Sequence, residues 1–176
     1  NINEATQYEI GDALPDVTGG FRTSFRWKNF DFMLAAAYQI GGRQWDGNSA
    51  NVYSPGRAGF TASQDLVGNT WTPEHTNAKF PKLMFNGTWN FVGSNCDYLY
   101  RDASYFSLKT INVGYTLPKR WTSKICIESL RVFFAADNLY FTSAHTGFDP
   151  RTAYAGQNAF GFPQAKTFTF GITMNL

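Results

Sequence analysis

The side chains able to do chemistry are few and scattered. His75 and His145 are the two histidines, and Cys96 and Cys126 the two cysteines. A metal site needs such donors at short spacing, and a nucleophile needs a base within reach. Neither histidine stands at ligand spacing from the other or from a cysteine. Asp137 and Asp149 are candidate paired acids that nothing in the sequence draws together. The Gly41–Gly42–Arg43 stretch reads as a turn, because no strand-to-helix setting follows it as a phosphate loop requires. The expectation is therefore no enzyme, no metal and no cofactor, with both histidines solvated in loops and both cysteines unpaired.

Aromatic side chains are the other chemical resource, at 18% of 176 residues. Trp45, Trp71 and Trp89 fall in a long stretch rich in Gly, Asn and Pro, and Tyr154 falls in a second one, with Phe160 and Phe162 beside Asp149 and Arg151. Such rings either pack a loop's own small core or stack on sugar rings and peptide side chains. Trp45, Trp71, Trp89 and Tyr154 are the candidates for ligand contact.

The elements that must carry these loops alternate with period two. In KTFTFGITMNL (166–176), Phe168, Phe170, Ile172, Met174 and Leu176 fall on one face, and Thr167, Thr169, Gly171, Thr173 and Asn175 on the other. This is the mark of a strand with one apolar face. The same pattern predicts strands near 18–28, 30–41, 104–117, 129–141 and 165–175, each close to the ~9–11 residues that cross a bilayer when tilted. The alternation slips near Thr110, where a bulge is one explanation. In the first strand Arg22, Arg26 and Lys28 share a face, which a dry core does not tolerate without partners. Connections alternate too: a tight turn at Asn29, a short linker opened by Pro118, and long loops near 42–103 and 142–164. A loop of some 60 residues counts against a plain sandwich. Trp27 and Trp121 fall near the short turns, where interfacial aromatic girdles belong. The strand map sets the two cysteines at opposite strand ends.

Charged residues are 16%, the net charge is +2, and mean hydropathy is −0.31. No basic run suggests nucleic acid. No stretch is long enough for a spanning helix. An all-β protein fits these values, and so does a membrane barrel, whose alternation hides its lipid face from hydropathy averages. The sequence opens at Asn1 without a signal-peptide pattern, so it is expected to be a mature or cut piece.

Five segments together carry a family resemblance: PDVTGGFRTSFRWKNFDF (15–32), WTPEHTNAKFPKL (71–83), RDASYFSLKTINVGYTLPK (101–119), LRVFFAADNLYFTSAHTGFDPR (130–151) and FPQAKTFTFGITMNL (162–176). In content, order and spacing the chain resembles the C-terminal part of SusC/RagA-family TonB-dependent outer-membrane transporters of Bacteroidetes. Residues 1–13 and the middle of the first loop are unmatched, and Leu176 stands where the family often ends in Phe. The resemblance implies an antiparallel transmembrane β-barrel of about twenty-two strands, of which this chain supplies about five C-terminal ones, without the plug. It implies a Gram-negative outer-membrane location and import of glycans or peptides with a SusD-like lipoprotein lid and TonB energy. The rest of the same transporter would supply the plug and the other strands.

In that frame Phe32, Leu34, Val132, Phe134, Phe168, Phe170 and Ile172 are expected to face lipid. The final apolar set, Phe168 to Leu176, resembles the signal read by the barrel-assembly machinery. The long loops are expected outside the cell, with Trp45, Trp71, Trp89 and Tyr154 contacting ligand or lid. The alternatives are a soluble β-sandwich that binds carbohydrate through loop tryptophans, and a structural barrel or adhesin anchor.

Overall fold

The computed structural model describes residues 6–53, 63–82, 97–152, 157–158 and 162–176. Its strands are β1 (Val17–Trp27), β2 (Phe30–Ile40), β3 (Arg43–Asp46), β4 (Tyr100–Asp102), β5 (Tyr105–Thr116), β6 (Ser129–Ser143), β7 (Gln157–Asn158) and β8 (Thr167–Asn175). Two short helices accompany them, α1 (Gly47–Val52) and α2 (Lys119–Thr122). Strands β1, β2, β5, β6 and β8 form one antiparallel sheet in that order, with β1 and β8 at open edges.

The register turns the alternation into two continuous faces, since neighbouring strands in a sheet point directly paired residues the same way. One row runs Phe25, Phe32, Val113, Phe134, Phe170 across all five strands. The rows on either side run Thr23, Leu34, Ile111, Ala136, Phe168 and Trp27, Phe30, Tyr115, Val132, Ile172. Phe32, Leu34, Val132, Phe134, Phe168, Phe170 and Ile172 therefore share one face. The opposite face carries rows such as Ser24, Met33, Asn112, Ala135, Thr169. Among the described residues no second sheet covers the apolar face. In the central strand β5, Phe106 and Val113 stay 37% and 38% exposed, while Ser107 is fully buried.

Local sequence sets the corners. Lys28 takes a left-handed φ of 52° in the two-residue turn between β1 and β2. The turn is stitched to β5: the Asn29 amide donates to the Thr116 carbonyl at 2.7 Å, and the Thr116 N–H returns a bond to the Asn29 carbonyl at 2.8 Å. The slip of alternation near Thr110 coincides with a register shift in β5 against both of its neighbours. Residues 42–103, read from sequence as a single loop, instead begin and end as continuations of the wall. At Gly41 and Gly42, φ values of 77° and 81° kink the chain out of β2, and β3 then pairs with β4 ahead of β5. Glycine is needed there because side chains rarely adopt that region. β7 joins β3 in parallel, completing a second, three-stranded sheet. Cys126 is exposed and unpaired; Cys96 lies outside the described residues.

One side-chain crossing ties three strands together. Arg131 on β6 reaches over Gly114 of β5 to Asp31 of β2, with Nε and Nη2 bonded to the two carboxylate oxygens at 2.9 and 2.5 Å. A Cβ at Gly114 would overlap the guanidinium. Asp31→Ala and Gly114→Leu are each expected to lower stability by about 1–2 kcal/mol, the value of a charge-assisted bond in a part-exposed setting. Because both remove the same contact, the double variant should lose little more than the worse single one, as read by denaturant unfolding. Fully additive losses would mean that Gly114 acts through something other than this crossing.

Candidate functional site

Three layers of side chains occupy the polar face and the long-loop end. The first lies on the sheet itself. Besides the Arg131–Asp31 pair, the Thr110 hydroxyl donates to Asp137 at 2.9 Å, and Arg22 donates to the Met33 sulfur at 2.9 Å. Phe133 lies over Gly171, where an added Cβ would meet its ring. Asp137 and Asp149, the candidate acid pair, are engaged separately, Asp137 by Thr110 and Asp149 by Arg151.

The second layer fixes the start of the second loop. Arg151 holds Asp149 through both ends of its fork, Nε to Oδ1 at 2.9 Å and Nη2 to Oδ2 at 2.7 Å. Its Nη1 donates to the Ser107 hydroxyl at 2.9 Å, and its Cζ stacks 3.9 Å from the Phe141 ring centroid. The Ser143 hydroxyl lies 2.8 and 2.7 Å from the carbonyls of His145 and Phe148, so it can bind either. Register puts Ser107, Phe141 and Ser143 on the polar face. The loop is thus folded inward, and Phe148 is buried. Beside it opens a hollow of about 710 Å³ lined by Asn138, Tyr140, Thr146, Asp149 and Lys166.

The third layer is the first loop's own core. Leu66, Phe80, Leu99, Ala50 and Ala103 are buried there. Tyr53 and Tyr98 close on Phe80 at 4.9 and 5.8 Å between ring centroids. Asp46, 4% exposed, accepts from the Ser49 N–H at 3.1 Å and hydroxyl at 2.5 Å, and faces Arg101 at 3.8 Å. Arg101 in turn lies over the Tyr98 ring at 5.1 Å. Burial, with Tyr98 and Asp65 nearby, raises the Tyr53 phenol above its ordinary pKa. The Tyr8 phenol is raised chiefly by its hydrogen bond to Asp97, which joins the N-terminal segment to this loop.

Of the four aromatic candidates, Trp45 sits half-buried in β3 opposite Tyr100, and Trp71 is 36% exposed, with its N–H bonded to the Phe80 carbonyl at 2.9 Å. Their rings are not brought together. Trp89 and Tyr154 lie outside the described residues. His75 is exposed and His145 half-buried, each near its own turn. No cluster of three or more His, Cys, Asp or Glu able to hold a metal occurs among the described residues. Sequence reasoning passed over Asp46, Arg101 and the Asp31–Arg131 pair, and Arg151 appeared only as a neighbour of aromatic residues. The Asp-Pro-Arg spacing, which seats a fork on a carboxylate two residues back, was the available signal.

Several known proteins are similar to this chain. It is 32% identical to TonB-dependent receptor P3 of Formosa agariphila over 98% of its own length and 18% of that protein. It is 25% identical to TonB-dependent receptor SusC of Bacteroides thetaiotaomicron, over 98% of its length and 16% of that protein. The chain thus spans less than a fifth of the curated relatives it matches. The solved RagAB peptide importer in its open-open state has the same fold, with a TM-score of 0.76 at 23% identity over 98% of this chain and 19% of that one. Its closed-closed state gives 0.78 at 24% identity, over 97% of this chain and 19% of that one. No family model matches.

Arg151→Ala should take the guanidinium fork from a largely buried carboxylate that keeps the backbone N–H of position 151, costing about 1.5–3 kcal/mol within the loop anchor. Amide hydrogens of residues 143–152 are expected to exchange about tenfold faster or more, while those of β8 hold. Arg151→Lys, which keeps the charge but loses the fork and the stack, should fall between. Unchanged exchange in the alanine variant would show that backbone packing alone seats the loop.

Proposed function

The chain belongs to the SusC/RagA family of TonB-dependent receptors, and from that membership we propose that it forms part of the wall of an outer-membrane importer of glycans or peptides. The supporting observation is the inverted sheet: in the doubly paired strand β5 the apolar Phe106 and Val113 are open, while Ser107 on the polar face is roofed by Arg151. A water-soluble sheet buries its apolar face; a membrane barrel turns it to lipid. Phe32, Leu34, Val132, Phe134, Phe168, Phe170 and Ile172 then meet hydrocarbon, and the Arg131–Asp31 face lines the lumen.

The remaining strands and the plug come from the rest of the same protein, because open edges at β1 and β8 would leave backbone groups unpaired in lipid. Energy arrives through the TonB complex by way of that other portion. The short turns face the periplasm and the long loops the outside. There a SusD-like lipoprotein closes the mouth. Ligand is held among the loop aromatics and in the hollow beside Asp149. Phe168, Phe170, Ile172, Met174 and Leu176 form the strand that the assembly machinery reads by edge pairing. The RagAB peptide importer, similar to this chain, is the reason that peptide stands as a substrate class, and glycan stands on the family resemblance.

The phase of the wall is tested by two neighbouring residues. In the intact transporter, Phe170→Arg should cost about 2–4 kcal/mol of barrel stability if it lies near the midplane, and Thr169→Arg much less. Equal penalties would refute the assignment of faces.

The role of the rim is tested by changing Trp45, Trp71, Trp89 and Tyr154 to Ala, one at a time, in the intact transporter. At matched outer-membrane abundance, uptake or lid co-purification is expected to fall for at least one of them. Normal uptake and lid binding in all four would make these rings packing residues only.

A further inference from the structure

The short-turn end of the sheet carries a group of cations that no part of the transport reading uses. Trp27 and Trp121 are 57% and 51% exposed there, each with a cation over its ring: Lys28 Nζ at 4.9 Å and Arg120 Cζ at 5.9 Å. Between the β1–β2 turn and the linker after β5 lies a pocket of about 510 Å³, lined by Arg26, Lys28, Asn29, Thr116 and Lys119. Asp31 also borders it, but its carboxylate is taken by Arg131. Among the described residues no carboxylate lies within 4.0 Å of Lys28, Lys119 or Arg120. The linker adds Lys124 and has Glu128 as its one acid.

We propose that this pocket binds the phosphate of an anionic phospholipid headgroup, a reading that rests on the membrane barrel proposed above. The row holding Trp27 continues through Phe30, Tyr115, Val132 and Ile172, so unpaired cations stand directly at the border of an apolar face. That juxtaposition fits an amphiphile, whose chains lie on the rings while its phosphate sits among the cations. An acidic polypeptide would need the cations but not the apolar border.

The test uses the intact transporter in nanodiscs holding equal amounts of phosphatidylglycerol and phosphatidylethanolamine, released for native mass spectrometry. Phosphatidylglycerol is expected to be retained over phosphatidylethanolamine. Arg26→Gln, Lys28→Gln and Lys119→Gln should each weaken that preference about fivefold, with heat-modifiable barrel migration unchanged. Equal retention of the two lipids, or a triple variant that keeps the preference, overturns the proposal. Displacement of the lipid by an equal concentration of soluble glycerol 3-phosphate would assign the pocket to a free phosphoester and overturn it as well. A triple variant that retains the lipid but exposes the rest of the transporter's interior to protease would point to an acidic polypeptide instead. Failure of the unmodified transporter to insert at all would strike the barrel reading itself, and the headgroup site would fall with it.

Discussion

A backbone N–H or C=O facing hydrocarbon has no water to fall back on, and the rest of this architecture follows from that requirement. Strands β2, β5 and β6 meet it by pairing on both sides along most of their length. Pairing so complete leaves side-chain direction as the remaining freedom, and the period of two divides it strictly. The charged side chains Arg22, Arg26, Asp31, Arg131 and Asp137 all fall on one face, and that face must deal with its charges inside the wall. At its loop end the sheet is therefore the reverse of a soluble one: Ser107 on the polar face is covered, while Phe106 on the apolar face stays open.

The polar face meets this demand by leaning side chains across neighbouring strands. From β6, Arg131 crosses β5 toward β2, and Phe133 leans the other way, over β8. Each crossing needs a position without a Cβ beneath it, and Gly114 and Gly171, the two partners of Phe133 in the ladder, provide those positions. Arg131 also lies 5.1 Å from the centre of the Phe133 ring, so the two crossings brace each other. A glycine within a strand ordinarily weakens it. Here it lets a charge reach its partner along the wall, so that the Asp31 carboxylate is paired. The same economy recurs above, where Ser107 is small enough for Arg151 to bond it while stacking on Phe141.

What the sequence disclosed follows from which signals are local. The five long strands were legible because alternation is written in consecutive residues, and the seven apolar residues expected to face lipid do share a face. The extension of β2 and β5 into β3 and β4 was not legible. Gly41–Gly42 reads equally as the end of a strand or as a kink within a longer path, and only pairing over some sixty residues decides. The site was less legible still. Trp45 and Trp71 drew attention as large rings, yet the loop's centre is Phe80, Leu99 and Leu66, held beside Asp46 and Arg101. Ion pairs such as Asp31 with Arg131, a hundred residues apart, leave no spacing rule to read.

The register irregularity shows the same limit within a single strand and explains where the second loop is anchored. Between two paired levels, β2 advances one residue, from Ala35 to Ala36, while β5 advances two, from Thr110 to Leu108. Over the matching levels β6 advances three, from Asp137 to Tyr140. One step or three steps preserve alternation, and two steps invert it. That is why the slip is visible in β5 and silent in β6, where Asn138 absorbs the extra length with a φ of 54°. Asparagine is among the few residues that take that conformation readily. Successive strands lengthen by one residue each, which bends and twists the wall at this height. Ser107 and Phe141, the two contacts that hold Arg151, come directly after the bend on β5 and β6. The inward fold of the second loop is therefore set by backbone geometry one step below it, and the arginine fastens a chain that the bent wall has already turned.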